Sequence, residues 1–373
     1  MRQLQLNKKL VGTITFHGAH NYGSMLQAYA LQKELEDLGH NCEIINYRSF
    51  EQKKIYQVIS GRKGWGPMLK DISHLFFYSK LKKKHKLFER FLRENLITTT
   101  KEYNTLVELE RENFKYDVII CGSDQIWKPT IADFSWAYFL PFGGDAKRIA
   151  YAPSYGPSPQ FSMQYKDAFV RYIKQFNAIS VREEGTKRVI EALTGIKDIP
   201  VVCDPVFLRK KEQWEKIIDT TPIINKPYIF FYTLYADKEM IKLVKSIGQE
   251  LNLPIVISNF TNYFDISAGF ELHLECGPCE FLNLINYATY VCTSSFHGTA
   301  LSLILNKPLI SLRGMSDNRI SSLLERLGLQ KYSVNSLDDV KRICSLPIYD
   351  KNILNEHIAA YRQVGVSFLK SVL

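Results

Sequence analysis

Residues 116–124, YDVIICGSD, place a short run of apolar residues directly before a polar turn. An apolar run without polar alternation predicts a strand that is buried on both faces, as in a parallel sheet covered by helices. The turn brings Ser123, Asp124 and Gln125 to the carboxyl end of that strand. Because open α/β sheets bind ligands at this end of their strands, the segment predicts both the fold class and the edge where a site is expected.

Strands and helices are predicted to alternate along the rest of the chain, which is typical of parallel sheets with crossover helices. The first half carries predicted strands at 11–16, 42–47, 116–124, 148–156, 178–183 and 200–208. The second half carries them at 228–234, 255–259, 290–293 and 308–312, with helices at 237–252, 278–288 and 297–306. A helix is also expected from Ser24 to Gly39, and a long amphipathic helix over 354–373.

The chain divides into two predicted domains. Its 373 residues are more than one ordinary core holds, and 46% of them are hydrophobic, which is enough for two cores. The alternation breaks at a charged, proline-bounded stretch around 209–227. We therefore predict a Rossmann-like domain over 1–212, with a basic helical insertion at about 51–115, and a second over 213–373. The last helix is expected to pack back on the first domain.

The charge balance favours anionic partners. With 48 Lys and Arg against 38 Asp and Glu, the formal net charge is +10, which favours nucleic acid, an acidic membrane surface or phosphorylated small molecules. Nucleic acid is not expected, because the basic residues cluster in one predicted helix and no reader motif is present. The first nine residues are polar and no run approaches the ~18 apolar residues of a membrane span, so we expect a cytoplasmic protein.

The basic cluster lies at 79–95, SKLKKKHKLFERFLREN. Seven Lys or Arg residues surround Leu81, Phe88, Phe91 and Leu92, which predicts a basic amphipathic helix. One interpretation is peripheral attachment to anionic lipid, or to a lipid-linked diphosphate, at the inner face of the membrane. The other is a solvated helix that covers the first domain with its apolar side.

The cysteines predict neither a disulfide framework nor a metal site. Five of the seven lie in or beside apolar runs, as small buried hydrophobes do. Cys276 and Cys279 form a CxxC motif in CGPCEF, with His273 as the one further candidate ligand nearby. Since a structural zinc site takes four ligands, we predict no metal.

Polar residues recur at the carboxyl ends of the predicted strands, where an α/β protein binds its ligands. Those singled out in the first half are Asn21, Tyr22, Gly23, Ser123, Asp124, Gln125 and Arg182. Those singled out in the second half are Ser294, Ser295, His297 and Arg313.

Each of these positions has a structural alternative. The loop at 21–23 either binds an anion through backbone N–H groups at a helix start or only shapes the turn. Asp124 is either a catalytic carboxylate or a cap. Arg182 either meets a ligand or forms a buried ion pair with Glu183. For His297, which opens a helix directly after a strand, we predict a functional role.

Seven segments, in order along the chain, resemble the polysaccharide pyruvyl transferase family. They are FHGAHNYGSMLQAYALQ (16–32), CGSDQIW (121–127), YAPSYG (151–156), ISVREE (179–184), VCDPVFL (202–208), TSSFHGTALSLILNKPLI (293–310) and DNRISSLLERLGL (317–329). The resemblance implies a glycosyltransferase-B-like architecture, with two Rossmann-like domains facing across a cleft. It also implies transfer of the pyruvyl unit of phosphoenolpyruvate to a sugar of a surface polysaccharide, such as a capsule or exopolysaccharide, or of its lipid-linked precursor. The product would be a pyruvate ketal, with release of phosphate.

The resemblance also implies roles for single residues. The family's general acid is a histidine in the motif that matches TSSFHG, which suggests His297. Family arginines that hold the donor suggest Arg182 in the matching SVRE motif and, by extension, Arg319 in NRI. Some members carry an arginine two residues before the histidine, where this chain has Ser295. One anion contact must therefore come from elsewhere, with Arg313 or Arg319 as candidates, or the donor differs.

The residue types suit this chemistry. Protonating the methylene carbon of an enol phosphate needs a positioned acid, and arginines suit a carboxylate and a phosphate. Asp124 is the candidate base for a hydroxyl of a lipid-linked or free oligosaccharide, and neither a metal nor another cofactor is required. Two alternatives stay open: a nucleotide-sugar-dependent glycosyltransferase of the same architecture, and a non-catalytic subunit that binds glycans. No Gly-rich phosphate loop is evident in the second half, which counts against the first alternative.

Overall fold

A computed structural model describes residues 8–57, 74–157, 161–259 and 269–373, and every structural statement below concerns these residues. By its backbone contacts the chain falls into two compact units. The first comprises Met1–Tyr56, Leu92–Arg209 and Ala360–Leu373, and the second comprises Gln57–Phe91 and Lys210–Ala359. Each unit is thus assembled from separate stretches of the chain around its own sheet.

Both sheets are parallel throughout their described strands. The first, in the order β2–β1–β3–β4–β5, consists of β1 Leu10–Ile14, β2 Asn41–Ile44, β3 Val118–Cys121, β4 Lys147–Ala150 and β5 Ala178–Ile179. The second, in the order β11–β10–β9–β6–β7–β8, consists of β6 Ile229–Tyr232, β7 Ile255–Ile257, β8 Glu271–Leu272, β9 Tyr290–Thr293, β10 Leu309–Leu312 and β11 Ser333–Val334. The predicted α/β class is confirmed.

The helices alternate with these strands. In chain order the described α-helices are α1 Tyr22–Asp37, α2 Phe50–Ile55, α3 Tyr78–Asn95, α4 Leu106–Glu110, α5 Lys166–Ile173, α6 Glu184–Thr194, α7 Lys211–Glu215, α8 Lys238–Leu251, α9 Pro278–Tyr287, α10 Phe296–Ile304, α11 Asn318–Leu327, α12 Asp339–Ser345 and α13 Lys351–Val372. Across the described ranges, no helix combines the length and the apolar composition needed to cross a membrane.

Each sheet has one position where the direction of strand addition reverses. In the first sheet it lies between β1 and β3, and in the second between β6 and β9. Ile14 stands opposite Cys121 and Tyr232 stands opposite Thr293, so the two strands at each position end at the same level. Doubly wound sheets bind ligands in the crevice that such a reversal opens. The fold therefore marks one candidate site in each unit.

Local chemistry explains why the elements at the first reversal form. All four residues of β3 are buried, as its apolar run predicts. The Asn21 side chain caps α1 by accepting hydrogen bonds from the backbone N–H groups of Gly23 (2.9 Å) and Ser24 (3.2 Å). The helix consequently begins at Tyr22 rather than at Ser24. Aromatic side chains fill the core beneath, where Trp127 stacks on Phe139 with ring centroids 5.3 Å apart.

The strand predicted over 200–208 is wrong. Val201 forms only an isolated bridge with Val181, and a 3₁₀ helix follows at Pro205–Leu208. Pro205 has no N–H to give to a sheet, and the Asp204 side chain caps the helix by accepting from the Val206 N–H at 3.1 Å. An apolar run alone did not distinguish this arrangement from a strand.

Candidate active site

At the reversal in the first sheet, the polar turns after β1 and β3 are joined by hydrogen bonds. The Ser24 hydroxyl donates to Oδ2 of Asp124 at 2.6 Å. Gln27 donates to Oγ1 of Thr15 at 2.8 Å and accepts from the Ser123 N–H at 3.0 Å. The structure thereby brings the predicted residues of the 21–24 and 122–125 turns together.

Asp124 has an unusual backbone that its surroundings hold in place. Its φ is +75°, in the left-handed region that aspartate tolerates better than most residues. Gly122, at φ +133°, leaves no room for a side chain, since a Cβ there would lie 1.9 Å from the Tyr151 carbonyl oxygen. The Gln125 N–H donates to Oδ1 of Asp124 at 2.8 Å. The Asp124 carboxyl group, in a residue only 7% exposed, is therefore held at both oxygens.

Arg182 lies among three carboxyl groups. Its Nη1 is 2.8 Å from Oδ2 of Asp204 and 4.0 Å from Oδ1 of Asp124, and its Nε is 3.3 Å from Oε2 of Glu183. Burial by itself lowers the pKa of the Arg182 guanidinium, but Glu183, Asp204 and Asp124 together raise that pKa above its ordinary value. With its side chain 1% exposed, Arg182 is almost inaccessible to an external anion.

These contacts bear on the roles predicted for the residues around Arg182. Arg182 as a donor ligand stays a prediction, and the geometry favours its alternative, a buried ion pair with Glu183, to which Asp124 and Asp204 are added. Asn21 acts as a helix cap and Tyr22 is 2% exposed, while anion binding by this loop stays a prediction. Ser123 is buried and donates to the Ala152 carbonyl at 2.6 Å.

At the reversal in the second sheet, the loops after three strands are hydrogen-bonded to one another. Thr233 follows β6, and its hydroxyl lies 2.7 Å from the Ser294 hydroxyl after β9. Asn259, after β7, donates from Nδ2 to the Thr233 carbonyl at 2.7 Å. Ser294 is thus part of a polar floor at the carboxyl end of β6, β7 and β9.

His297 lies in the first turn of α10, three residues after Ser294. Ser295 caps the helix by accepting from the Gly298 N–H at 3.3 Å. The imidazole packs edge-on against Phe296, with ring centroids 5.3 Å apart, and the residue is 8% exposed. The cap gives Ser295 a structural role at the start of this helix. His297 is fixed at the N-terminus of a helix, where a general acid would face an anionic ligand.

Arg313 and Arg319 follow β10 and differ from Arg182 in that, within the described residues, each forms an ion pair with one carboxylate. Nη1 of Arg313 lies 2.6 Å from Oδ2 of Asp237, and the Arg313 side chain is 33% exposed. The hydrogen bond from Arg313 holds the pKa of the Asp237 carboxyl below its ordinary value. Arg319 forms a two-pronged pair with Asp317, at 3.0 and 2.6 Å, and is 13% exposed.

Three residues at these edges escaped the sequence analysis. Thr233 and Asp237 come just after β6, and Arg48 comes shortly after β2 against the turn at Gly18. The same positional rule would have found Arg48, which follows the strand predicted over 42–47. Thr233 lies inside the strand predicted over 228–234, and only the observed end of β6 at Tyr232 places it after the strand. Asp237 was read only as the start of a helix, which it also caps by accepting from the Met240 N–H at 2.7 Å.

Two parallel sheets with polar clusters at their reversals define an α/β protein of two Rossmann-like units, the architecture of glycosyltransferase-B enzymes. Residues 21–314 match the model of the polysaccharide pyruvyl transferase family. The chain therefore belongs to this family, and it is a transferase of polysaccharide biosynthesis. No curated protein matches the sequence significantly.

Solved structures match the chain at low sequence identity. The S. aureus MnaA–UDP co-structure is 13% identical with a TM-score of 0.52, over 94% of this chain and 90% of that one. UDP-N-acetylglucosamine 2-epimerase from Rickettsia bellii is 13% identical with a TM-score of 0.49, over 98% of this chain and 96% of the other. The E. coli heptosyltransferase WaaC with ADP-2-deoxy-2-fluoro heptose is 14% identical with a TM-score of 0.40, over 89% and 98%. At such identities the likeness to MnaA concerns the fold alone.

Proposed function

We propose that this protein transfers the pyruvyl group of phosphoenolpyruvate to a sugar of a surface polysaccharide, or of its lipid-linked precursor, as a cyclic ketal with release of phosphate. Membership of the polysaccharide pyruvyl transferase family supports this class of reaction. The observation that carries the proposal is the position of His297, in the first turn of α10 beside the reversal of the second sheet. A histidine is suited to give and retake a proton near neutral pH.

The proposed reaction balances without a redox partner. Protonated His297 gives its proton to the methylene carbon of the enol phosphate, which becomes a methyl group. The neighbouring carbon gains oxocarbenium character, two sugar hydroxyl oxygens bond to it, and its bond to the phosphate oxygen breaks. Of the two hydroxyl protons released, one leaves with the phosphate and the other is taken up by a carboxylate base. Loss of that proton to solvent and uptake of one from solvent by His297 restore both groups for the next turnover. Asp124, whose carboxyl group is held by Ser24 and Gln125, is the proposed acceptor of a hydroxyl proton.

The charges of each unit support a division of roles. Phosphoenolpyruvate is strongly anionic, and the Arg313 side chain is 33% exposed and forms an ion pair with one carboxylate of the described residues, that of Asp237. Guanidinium groups suit both carboxylate and phosphate oxygens. The cluster around Arg182 holds three carboxyl groups to one guanidinium, so it suits a neutral hydroxyl better than an anionic donor. We therefore assign the donor's anionic groups to the second unit.

The test is a donor and acceptor screen. The protein is incubated with phosphoenolpyruvate and a panel of free and lipid-linked oligosaccharides, and both released phosphate and product mass are measured. We expect phosphate release in step with a product heavier by one pyruvate ketal. Sugar transfer from a UDP-sugar, tried because the matched MnaA structure holds UDP, would instead establish the glycosyltransferase alternative. Glycan binding without turnover of any donor would favour the non-catalytic alternative.

A further inference from the structure

The basic helix α3 carries two sets of cations with different surroundings. Lys80 donates from Nζ to the Leu272 carbonyl at 3.2 Å and lies 3.5 Å from Oε2 of Glu275. Lys84 donates from Nζ to the Ser258 carbonyl at 3.3 Å. Burial lowers the pKa of the Lys84 ammonium to about 8. These two lysines hold the helix in place, and their charge is directed at the protein rather than at solvent.

Burial and further contacts hold the helix in the second unit. Phe88 is fully buried and Phe91 is 2% exposed. The helix passes so close to Gly277 that a Cβ there would lie 2.5 Å from Cβ of Leu87. Arg90 adds an ion pair at 3.8 Å to Glu280. The part of α3 up to Phe91 is therefore an ordered element of the second unit with one inner side and one outer side.

The outer side combines exposed cations with exposed apolar groups. Lys82, Lys83 and Lys86 are exposed and neighbour one another on the helix, since Lys86 comes four residues after Lys82 and three after Lys83. Directly before them Phe76 is 83% exposed and Leu75 is 59% exposed. The outer face, as this surface is called below, consists of Leu75, Phe76, Tyr78, Lys82, Lys83 and Lys86.

We propose that the outer face docks on an anionic lipid surface. Its lysines supply attraction to negatively charged headgroups, and its large apolar side chains supply insertion at the boundary between headgroups and acyl chains. Nζ of Lys82 lies 5.8 Å from the Tyr78 ring centroid, so a charged group and an aromatic ring are adjacent on this face. An apolar group as exposed as Phe76 is costly in water and is removed from it by insertion. The chemistry thus fits an anionic bilayer better than a soluble polyanion, which would engage the lysines alone.

The test is vesicle co-sedimentation of the full chain. The triple variant Lys82→Gln, Lys83→Gln, Lys86→Gln is compared with the parent on vesicles of equimolar phosphatidylcholine and phosphatidylglycerol. We expect about a hundredfold weaker partitioning, because each lysine near an anionic surface contributes roughly tenfold or less, and we expect the difference to vanish on pure phosphatidylcholine. The charge-matched control replaces Lys238, Lys242 and Lys245, which are exposed on α8 of the same unit. The control should bind like the parent.

A second variant tests the apolar half of the outer face. Phe76→Ser should reduce binding about tenfold and should also reduce the fraction that survives high salt, because the apolar contribution is not screened. Equal binding by the parent and the lysine triple variant, or equal losses in the triple variant and its α8 control, would overturn the proposal. So would Phe76→Ser binding like the parent. Since partitioning is measured without any donor or acceptor, the result is independent of the proposed pyruvyl transfer.

Discussion

The two sheet edges occupy equivalent places in their units and yet have opposite electrostatic character. At the edge of the first sheet, one guanidinium, that of Arg182, is shared by three carboxyl groups and is almost inaccessible. At the edge of the second, Arg313 and Arg319 each meet one carboxylate, and Arg313 is one-third exposed. The comparison teaches that the topology determines where polar residues gather, whereas the ratio of charges determines what such a cluster can bind.

The largest expected effect tests the second edge at its acid. His297→Ala should lower kcat by about 10²–10⁴-fold, the usual scale for loss of a general acid, without unfolding the protein. Phosphate release from phosphoenolpyruvate in the presence of an accepted glycan measures it. The matched control is His273→Ala in the same unit, where His273 lies 3.1 Å from Glu271 and should be dispensable. A folded His297→Ala protein with the parental kcat would show that His297 is not the general acid.

The next effect tests whether the first edge positions a base or binds the donor. If Arg182 positions Asp124, Arg182→Lys should lower kcat by up to about 10²-fold, the cost of a small misplacement, with little change in KM for phosphoenolpyruvate. A rise in KM at constant kcat would instead make Arg182 a donor ligand, as the family resemblance implies. Arg148→Lys is the control, because Arg148 in the same unit donates to the Leu140 carbonyl at 2.9 Å. That variant should change stability alone.

A smaller effect sharpens the assignment of the donor to the second edge. Arg313→Gln should raise KM for phosphoenolpyruvate about tenfold, the value of one charged hydrogen bond, and leave kcat within a few-fold. Arg319→Gln is the comparison, since Arg319 is already held at both prongs by Asp317. If Arg319→Gln raises KM and Arg313→Gln does not, the anion contact belongs to Arg319 and not to Arg313.

The smallest effect concerns how the stability of the folded protein falls at acid pH through the pair of Asp237 and Arg313. Arg313 holds the pKa of Asp237 below 3.8, so the folded protein binds fewer protons there than the unfolded chain does. The resulting stabilisation is present above pH 3.8 and is lost as the pH falls through the lowered pKa. In Arg313→Gln the Asp237 pKa, followed by NMR titration, should rise toward 3.8. An unchanged titration of Asp237 would mean that the pair has no effect on this carboxyl group.

The sequence predicted those features that depend on residues close together in the chain. Residues 290–293 form β9 with the predicted bounds, because four residues of strand pattern are followed at once by polar and helix-starting residues. His297 was placed at a helix start for the same reason. The two-residue strands β8 and β11 were missed, since two residues carry no period to recognise.

What the sequence could not predict depends on distant partners. Asp124 and Asp204 reach Arg182 from 58 and 22 positions away, so the three-carboxyl cluster leaves no mark in any local pattern. The lysines of α3 gave a related difficulty. Lys84 looks like its neighbours in sequence but is directed at the Ser258 carbonyl, a partner more than 170 positions along the chain.

The return of the last stretch of α13 to the first unit bears on how the protein is made. Lys147 donates to the Val372 carbonyl at 2.7 Å, and the Tyr361 hydroxyl donates to the Val202 carbonyl at 3.4 Å. A ribosome that has finished residues 1–209 must still synthesise the whole of 210–359 before these contacts can form. Until then the surface of the first unit that α13 contacts stays uncovered. Partly folded chains expose apolar surface, which promotes aggregation. Synthesis of residues 360–373, rather than completion of the first sheet, therefore sets the moment at which the first unit becomes whole.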